Sequence, residues 1–439
     1  MTGYATHIRT ALAAGPVPAE SLRAGLGVSR PTLARALAAM PGEIVTLGAA
    51  RSTRYALRDS FRGLADIPVY GVNEAGQIKP LGLLSPVRPD GFVMVQLDGT
   101  TIHHAGIPWW LTDMKPQGFL GRAYAQQHAP SLGLPPDVRH WSDTDALRAL
   151  LVNGGDAVGN LLLGDIARDR FVNAPVPPAV GTNEYPRLAA EALTIGDSWS
   201  SAGGEQPKFC AYTASGHVLV KFTGPEDNPI AQRWRDLLLS EHLALETLAA
   251  GGVSAALSKV VDVGSQRFLE LERFDRVNVQ GRRALASLAS LDGEFTGKAT
   301  APWPVITAEL ARKKVITTQA HAGSALLYAF GTLIGNTDMH AGNLSFVSDP
   351  GRPYSLSPAY DMLPMAFGPT AGGLVSSTVP LAHLHSAVDG DTWRAAQLLA
   401  VQYLHRLSDD TRFSDSFQEC ISALRTYMED AAQRLARLG

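Results

Sequence analysis

The sequence predicts an α+β protein of several domains, and three observations carry that reading. Short amphipathic helical runs punctuated by Gly15-Pro16 and Gly27 open the chain. The runs "IPVYGVN", "IKPLGLLSP" and "GFVMVQLDG", broken by glycine and proline, have the pattern of a small antiparallel sheet. In the second half, long apolar helical stretches alternate with hairpin patterns. A chain of 439 residues has room for about three domains with cores of their own.

Composition narrows the function classes. The N-terminus "MTGYATHIRTALAAG" has no apolar core behind a positive flank, and no run of about 18 apolar residues occurs, so a cytoplasmic protein without a membrane partner is expected. Cys210 and Cys420 are the only cysteines, which suits a reducing compartment and excludes a disulfide framework. The twelve histidines form only short local pairs, His103-His104 and His383/His385, without zinc-site spacing. Net charge is −3 but unevenly spread. Before residue 59, Arg9, Arg23, Arg30, Arg35, Arg51, Arg54 and Arg58 face only Glu20 and Glu43, an excess that points to an anionic partner.

The basic segment has an order as well as a charge. "THIRTALAAG" sets Ile8 and Leu12 four apart before a Gly-Pro stop, and "PAESLRAGLG" supplies a second short helix. Ser29 is an N-cap candidate for a third, "SRPTLARALAAM", with Pro31 in its first turn. "EIVTLGAARSTRYAL" then has the pattern strand, turn, strand. Three helices followed by a basic hairpin is the layout of a winged helix-turn-helix over residues 1–60. The third helix would enter the major groove with Ser29, Arg30, Thr32 and Arg35, while Arg51 and Arg54 meet phosphate or minor groove. A protein-binding winged helix with merely solvated arginines is the alternative.

Residues 61–140 show no chemistry beyond the small sheet. Trp109-Trp110 and "MKPQGFLGRAY" suit the buried aromatics of a small core better than a docking surface. From "SDTDALRALLVNGGDAVGNLLLGD" onward the chain reads as helical.

A small-residue loop, Ser200, Ser201, Ala202, Gly203 and Gly204, then precedes the hairpin "PKFCAYTASGHVLVKF". Such a loop lets backbone N–H groups approach phosphate oxygens, although a Gly-Gly turn alone is often only a turn. Lys221 ends the alternating run "HVLVKF" and Lys208 lies at the loop exit; each can reach phosphates, and each could be an ordinary exposed strand lysine. "RWRDLLLSEHLALETLAAGG" reads as a helix carrying Glu241, a candidate partner for the strand lysine, with Glu246 the alternative. "RFLELERFDR" ends a strand in Glu272, Arg273 and Phe274, where a connector can offer backbone groups to adenine.

Against these parts, "GNTDMHAGNLSF" gains meaning. Asp338 and Asn343 stand as D-x-x-x-x-N, the spacing of a kinase catalytic loop, and "AYDMLP" presents Asp361 after a second hairpin pattern. Phosphoryl transfer spreads negative charge over the moving group, so it needs positioning and cations rather than covalent chemistry. Asp338 would orient the hydroxyl and accept its proton, while Asn343 and Asp361 would hold Mg2+ through hard oxygens. His340 either orients Asp338 or satisfies local backbone.

The segments "SSAGGEQPK", "LELERFDR", "GNTDMHAGN" and "SPAYDMLP" resemble the signatures of HipA-like serine/threonine kinases, the toxins of bacterial toxin–antitoxin systems. The resemblance implies a bilobal protein-kinase-like (HipA-type) fold: the small β-rich subdomain at 61–140, a smaller lobe with the glycine-rich loop at 141–275 and a helical lobe at 276–439. It implies ATP and Mg2+ as cofactors and a protein hydroxyl as acceptor, with aminoacyl-tRNA synthetases the best-known targets. It places nucleotide contacts on Lys221 and on the connector Glu272 to Phe274, the base on Asp338, metal ligands on Asn343 and Asp361, and the loop autophosphorylation site on Ser201.

Two departures stand out. Family members commonly carry glycine and lysine in the catalytic loop where this chain has Met339 and Gly342. The winged helix is not part of the usual toxin, whose DNA binding comes from a separate antitoxin; the fused arrangement resembles the YjjJ-like branch and implies a self-contained repressor-kinase, with an antitoxin or a second copy as further partners. Two other classes remain open at this point: a DNA-binding regulator whose kinase-like body only senses nucleotide or partner, and a small-molecule kinase.

Overall fold

The computed structural model describes residues 2–195, 206–348, 351–370 and 372–437. The chain divides into two compact units, one of Met1–Asn73, Gln77–Lys115 and Pro130–Pro175, the other of Glu74–Gly76, Pro116–Ala129 and Val176–Gly439.

The first unit opens with α1 (Thr2–Leu12), β1 (Val17–Pro18), α2 (Ala19–Leu26), α3 (Arg30–Ala38), β2 (Ile44–Leu47) and β3 (Arg54–Leu57). The strands form an antiparallel sheet in the order β1-β3-β2. Gly27, at φ 64°, ends α2, and Ser29 caps α3 by accepting from the Thr32 N–H at 3.3 Å. Ile8 and Leu12, the four-apart pair, are fully buried and pack with Leu22, Leu33, Met40 and Leu57.

A five-stranded sheet follows, built from β4 (Ile67–Val72), β5 (Ile78–Val87), β6 (Gly91–Gln96), β7 (Thr101–His104) and β8 (Leu161–Leu163) in the order β7-β6-β5-β4-β8. In the chain, α4 (Gly118–Leu132), α5 (Asp143–Asn153) and α6 (Gly164–Val172) come after β7. A capping box between Ser142 and Asp145 starts α5, whose Leu147 and Leu150 pack on Ile67, Leu84, Phe92 and Leu163. Trp110 packs against the same core. The helical reading of "VGNLLLGD" is overturned: Leu161–Leu163 pairs with β4, so chain on both sides of residue 140 builds this sheet. A short apolar run without alternation does not distinguish strand from helix.

The N-terminal sheet is covered on its second face as well. Val45, Leu47 and Ala56 pack with Val87 and Val93 of β5 and β6. Gly48 N–H donates to Thr101 Oγ1 at 2.7 Å.

The second unit begins with α7 (Tyr185–Ile195) and the strands β9 (Lys208–Thr213), β10 (Gly216–Phe222), β11 (Ser258–Val263) and β12 (Gln266–Glu272), ordered β11-β12-β10-β9. Between β10 and β11 runs α8 (Pro229–Ala250), capped by Asn228 and buried along most of its length. Alternation divides β10: Val218, Val220 and Phe222 join an aromatic core with Tyr185, Phe209 and Phe268, which leaves Lys221 on the other side.

After β12 come the short pair β13 (Arg276–Val277) and β14 (Gly281–Arg282), then β15 (Ala284–Ser287), α9 (Leu288–Phe295), α10 (Trp303–Arg312), α11 (Thr318–Leu333), β16 (Ser345–Ser348), β17 (Ser355–Leu356), α12 (Gly390–Asp409) and α13 (Gln418–Ala436). A second sheet has the order β15-β16-β17. The apolar α11 ends at Ile334 with Gly335 at φ 74°; Gly335 N–H donates to Thr332 O and Asn336 N–H to Gly331 O, the paired bonds of a Schellman motif. This sharp stop releases the chain into the segment that carries Asp338. Among the described residues no helix is long and apolar enough to cross a membrane.

Candidate active site

Lys221 is the centre of the site. Its ammonium donates to both oxygens of Glu241 at 2.8 Å and also to Asp361. The Lys221 side chain is 5% exposed, that of Glu241 0% and that of Asp361 27%. Thus the β10 lysine, the α8 glutamate and the acid of "AYDMLP" meet, and Glu246 is excluded as the lysine's partner. Burial works against the Lys221 charge, but Asp361 and Glu241 outweigh it and hold its pKa above the ordinary lysine value. Burial likewise opposes the charge on Asp361, yet Lys221 and then Lys208 keep that carboxyl below its ordinary value. Lys208 lies opposite Lys221 in the β9–β10 register and has no ion pair among the described residues.

Asp338 lies on the loop after α11. The protein around it raises its carboxyl, opposed by His340 and reinforced by Asp361. The Asn343 side-chain N–H donates to the Asp338 carbonyl at 2.8 Å, which leaves the amide oxygen of Asn343 as a hard donor. His340 does not hydrogen-bond Asp338. Its Nδ1 accepts from Gly342 N–H at 3.0 Å and its carbonyl from Trp303 Nε1 at 3.1 Å, so it satisfies local backbone.

The first two N–H groups of the connector have partners within the protein. Glu272 N–H donates to Leu257 O at 2.9 Å and Arg273 N–H to His217 O at 3.0 Å, so neither N–H is offered to adenine. The Arg273 guanidinium pairs with Asp275. Phe274 packs against Tyr360, with ring centroids 5.7 Å apart. Ser201, Ala202, Gly203 and Gly204, and with them the expected autophosphorylation serine, lie outside the described residues.

Sequence reasoning missed two groups that hold this geometry. The Tyr360 hydroxyl donates to Gly342 O at 2.9 Å and bonds Ser345 Oγ at 2.7 Å. Asn336, 5% exposed, donates from Nδ2 to the Asp361 carbonyl and accepts the Asp338 N–H at Oδ1, each at 3.1 Å. Both lie inside the quoted motifs, one residue from Asp361 and two from Asp338, and a buried amide next to an acid was the available signal. Asp361 adopts φ 53°, a left-handed conformation costing a non-glycine residue about 1–2 kcal/mol.

In the basic segment, Arg9 pairs with Glu43, Arg23 with Glu20 and Arg58 with Asp66. Arg30, Arg35, Arg51 and Arg54 are exposed and have no carboxylate partner among the described residues. Ser29 and Thr32 hydrogen-bond each other at 2.9 Å as part of the cap.

A family model for the HipA-like C-terminal domain matches residues 200–433. The chain belongs to the HipA-like family. A second model, the middle domain of YjjJ-like toxins, matches residues 64–172 of this HipA-like chain. Its relatives include Toxin YjjJ of Escherichia coli (strain K12), 38% identical over 436 residues, which span 97% of this chain and 98% of that protein. A chain from the Shewanella oneidensis MR-1 complex of HipA, HipB and operator DNA has a TM-score of 0.55 at 17% identity, covering 84% of this chain and 97% of its own, which supports the α+β HipA-like fold. The Helicobacter pylori proinflammatory kinase CtkA has a TM-score of 0.37 at 14% identity, with 54% and 93% coverage.

Proposed function

We propose that this HipA-like protein is an ATP- and Mg2+-dependent serine/threonine protein kinase that also binds DNA through its N-terminal segment. The observation that carries the first part is the convergence of Lys221, Glu241 and Asp361 beside Asp338. Glu241 holds the Lys221 ammonium in place, from where it can reach phosphate oxygens. Lys208, opposite it and without an ion pair, adds a second cation. Asp338, with its carboxyl raised, suits the acceptance of a proton from an incoming hydroxyl. The hydroxyl oxygen bonds to the γ-phosphorus, the bond to the ADP bridging oxygen breaks, and the proton passes to Asp338.

The donor set fits Mg2+: the partly exposed Asp361 carboxylate and the Asn343 amide oxygen are hard ligands, and magnesium sites use one or two protein oxygens with substrate phosphates completing them. The ion would supply charge neutralisation at the phosphates. Ser201 is the proposed autophosphorylation site, and an aminoacyl-tRNA synthetase is a candidate among protein substrates. Incubating pure protein with labelled ATP and Mg2+, then mapping phosphate on the protein and on a cell lysate, tests this. Label on a serine or threonine is the expected result; label on small molecules alone, or none, overturns it.

The DNA part rests on the four exposed arginines that have no carboxylate partner among the described residues. Arg30 and Arg35 extend from α3, Arg51 precedes β3 and Arg54 begins it, and α1, α2, α3 with the β1-β3-β2 sheet have the order of a winged helix. The operator complex of the Shewanella HipA and HipB system makes an antitoxin or a second copy a natural further partner. Salt-dependent gel shifts with genomic fragments test this part, and no binding at low salt overturns it.

A further inference from the structure

We infer that Asn336 is a positioning residue that locks the two acids of the site to each other. This inference rests on the phosphotransfer reading above. One buried amide uses both of its ends: Nδ2 donates to the carbonyl of Asp361 and Oδ1 accepts the N–H of Asp338, each at 3.1 Å. The two segments that it ties come from different elements. Asp338 follows the stop of α11, and Asp361 follows β17.

Neither acid is fixed by its own backbone. Asp361 is in a left-handed conformation that an aspartate leaves readily unless neighbours hold it. The chain before Asp338 has just made the sharp turn at Gly335, and the Asp338 N–H finds its partner in Asn336. The Tyr360 hydroxyl, next to Asp361, adds a second tie by donating to Gly342 O on the Asp338 loop at 2.9 Å. Asparagine suits this role where aspartate does not, since an amide presents a donor and an acceptor together while an ionised carboxylate only accepts. The side chain is 5% exposed, so solvent does not replace a lost bond easily.

The test uses full-length wild-type protein, Asn336→Ala and Asn336→Asp. Asn336→Ala loses both bonds; Asn336→Asp keeps the acceptor and loses the donor. In nucleotide-free protein, hydrogen exchange of the peptide containing Asp338 should accelerate in Asn336→Ala and stay near wild type in Asn336→Asp. In both variants kcat should fall about ten- to a hundredfold, and the Mg2+ concentration for half-maximal nucleotide binding should rise by a similar factor, as outer partners of metal ligands usually show. Unchanged exchange together with unchanged kcat and Mg2+ dependence in folded variants overturns the inference. So does a loss of kcat that disappears when corrected for folded fraction. If wild type itself transfers no phosphate, the kinase reading fails and takes this inference with it; an active wild type with unaffected variants removes this inference alone.

Discussion

Replacing Glu241 by glutamine keeps the side chain's shape and removes one charge from the buried centre of the site. Lys221 donates to both Glu241 oxygens at 2.8 Å and also to Asp361, and the Glu241 side chain is 0% exposed. Orphaning a buried charge costs about 3–5 kcal/mol. Here Asp361 remains as a counter-ion, so Lys221 is not orphaned, and the expected loss is that of a charge-assisted hydrogen bond, about 1.5–3 kcal/mol. Catalysis should suffer more. With Glu241 neutral, the ammonium leans on Asp361, which on the proposed reading withdraws it from the phosphates and engages the carboxylate proposed to hold the metal. Loss of such transition-state stabilisation is worth about 3–4 kcal/mol, or about a hundred- to a thousandfold in rate. Urea denaturation reads the first quantity. Single-turnover transfer from labelled ATP at saturating nucleotide and Mg2+ reads the second. A folded Glu241→Gln protein that transfers phosphate at the wild-type rate would refute this assignment of the lysine's partner.

Other outcomes follow from the same geometry. Asp338→Asn and Asp361→Asn should each lower phosphotransfer about a hundred- to a thousandfold while leaving the fold intact, as circular dichroism beside the kinase assay would show. Because the surrounding protein raises the Asp338 carboxyl above its ordinary 3.8 and the base must be ionised, kcat/KM should fall on the acid side above that pH; an acid limb at the ordinary aspartate value contradicts this. Ser201→Asp should weaken ATP binding by bringing negative charge into the loop proposed to bind phosphate, and a variant that binds ATP as wild type does would remove Ser201 as the self-inhibitory site. DNA affinity should fall with salt at a log–log slope near −0.9 per phosphate neutralised. Arg51→Ala and Arg54→Ala should flatten that slope, whereas Arg30→Ala and Arg35→Ala should relax sequence preference by about 1–3 kcal/mol per lost base contact.

The acids of the site were legible because chemistry fixes their spacing and order. Asp338 and Asn343 share one loop and Asp361 follows a hairpin, so sequence alone could order them. Lys221 was legible as a strand lysine, but its burial was not: that depends on α8, which packs against β11 and β12, presenting Glu241. The state of the connector's N–H groups was hidden for a similar reason. Whether the N–H groups of Glu272 and Arg273 are available is decided by Leu257 and His217, which lie far away in sequence. Asn336 passed unnoticed because its value lies in touching two backbones at once, which a linear pattern does not reveal.

The N-terminal segment shows the same limit at the level of whole elements, and it changes how DNA binding should be tested. Alternation in "EIVTLGAARSTRYAL" marks two strands, and a hairpin at the end of a three-helix module would ordinarily have one face open to water. Instead Leu57 packs with the helices while Val45, Leu47 and Ala56 cover Val87 and Val93, both fully buried. Removing residues 1–58 would therefore uncover apolar surface on β5 and β6. Full burial of a side chain of this size is worth about 1.5–3 kcal/mol, so such a truncation would disturb the sheet as well as DNA binding. Arg30, Arg35, Arg51 and Arg54 are exposed, and replacing all four by alanine leaves that shared core in place. The quadruple variant should keep the melting temperature and ATP turnover of wild type and lose its salt-dependent DNA binding, whereas the truncated protein should melt lower. A truncated protein as stable as wild type would show that the shared core contributes little, and a quadruple variant that still binds DNA would move the interface elsewhere.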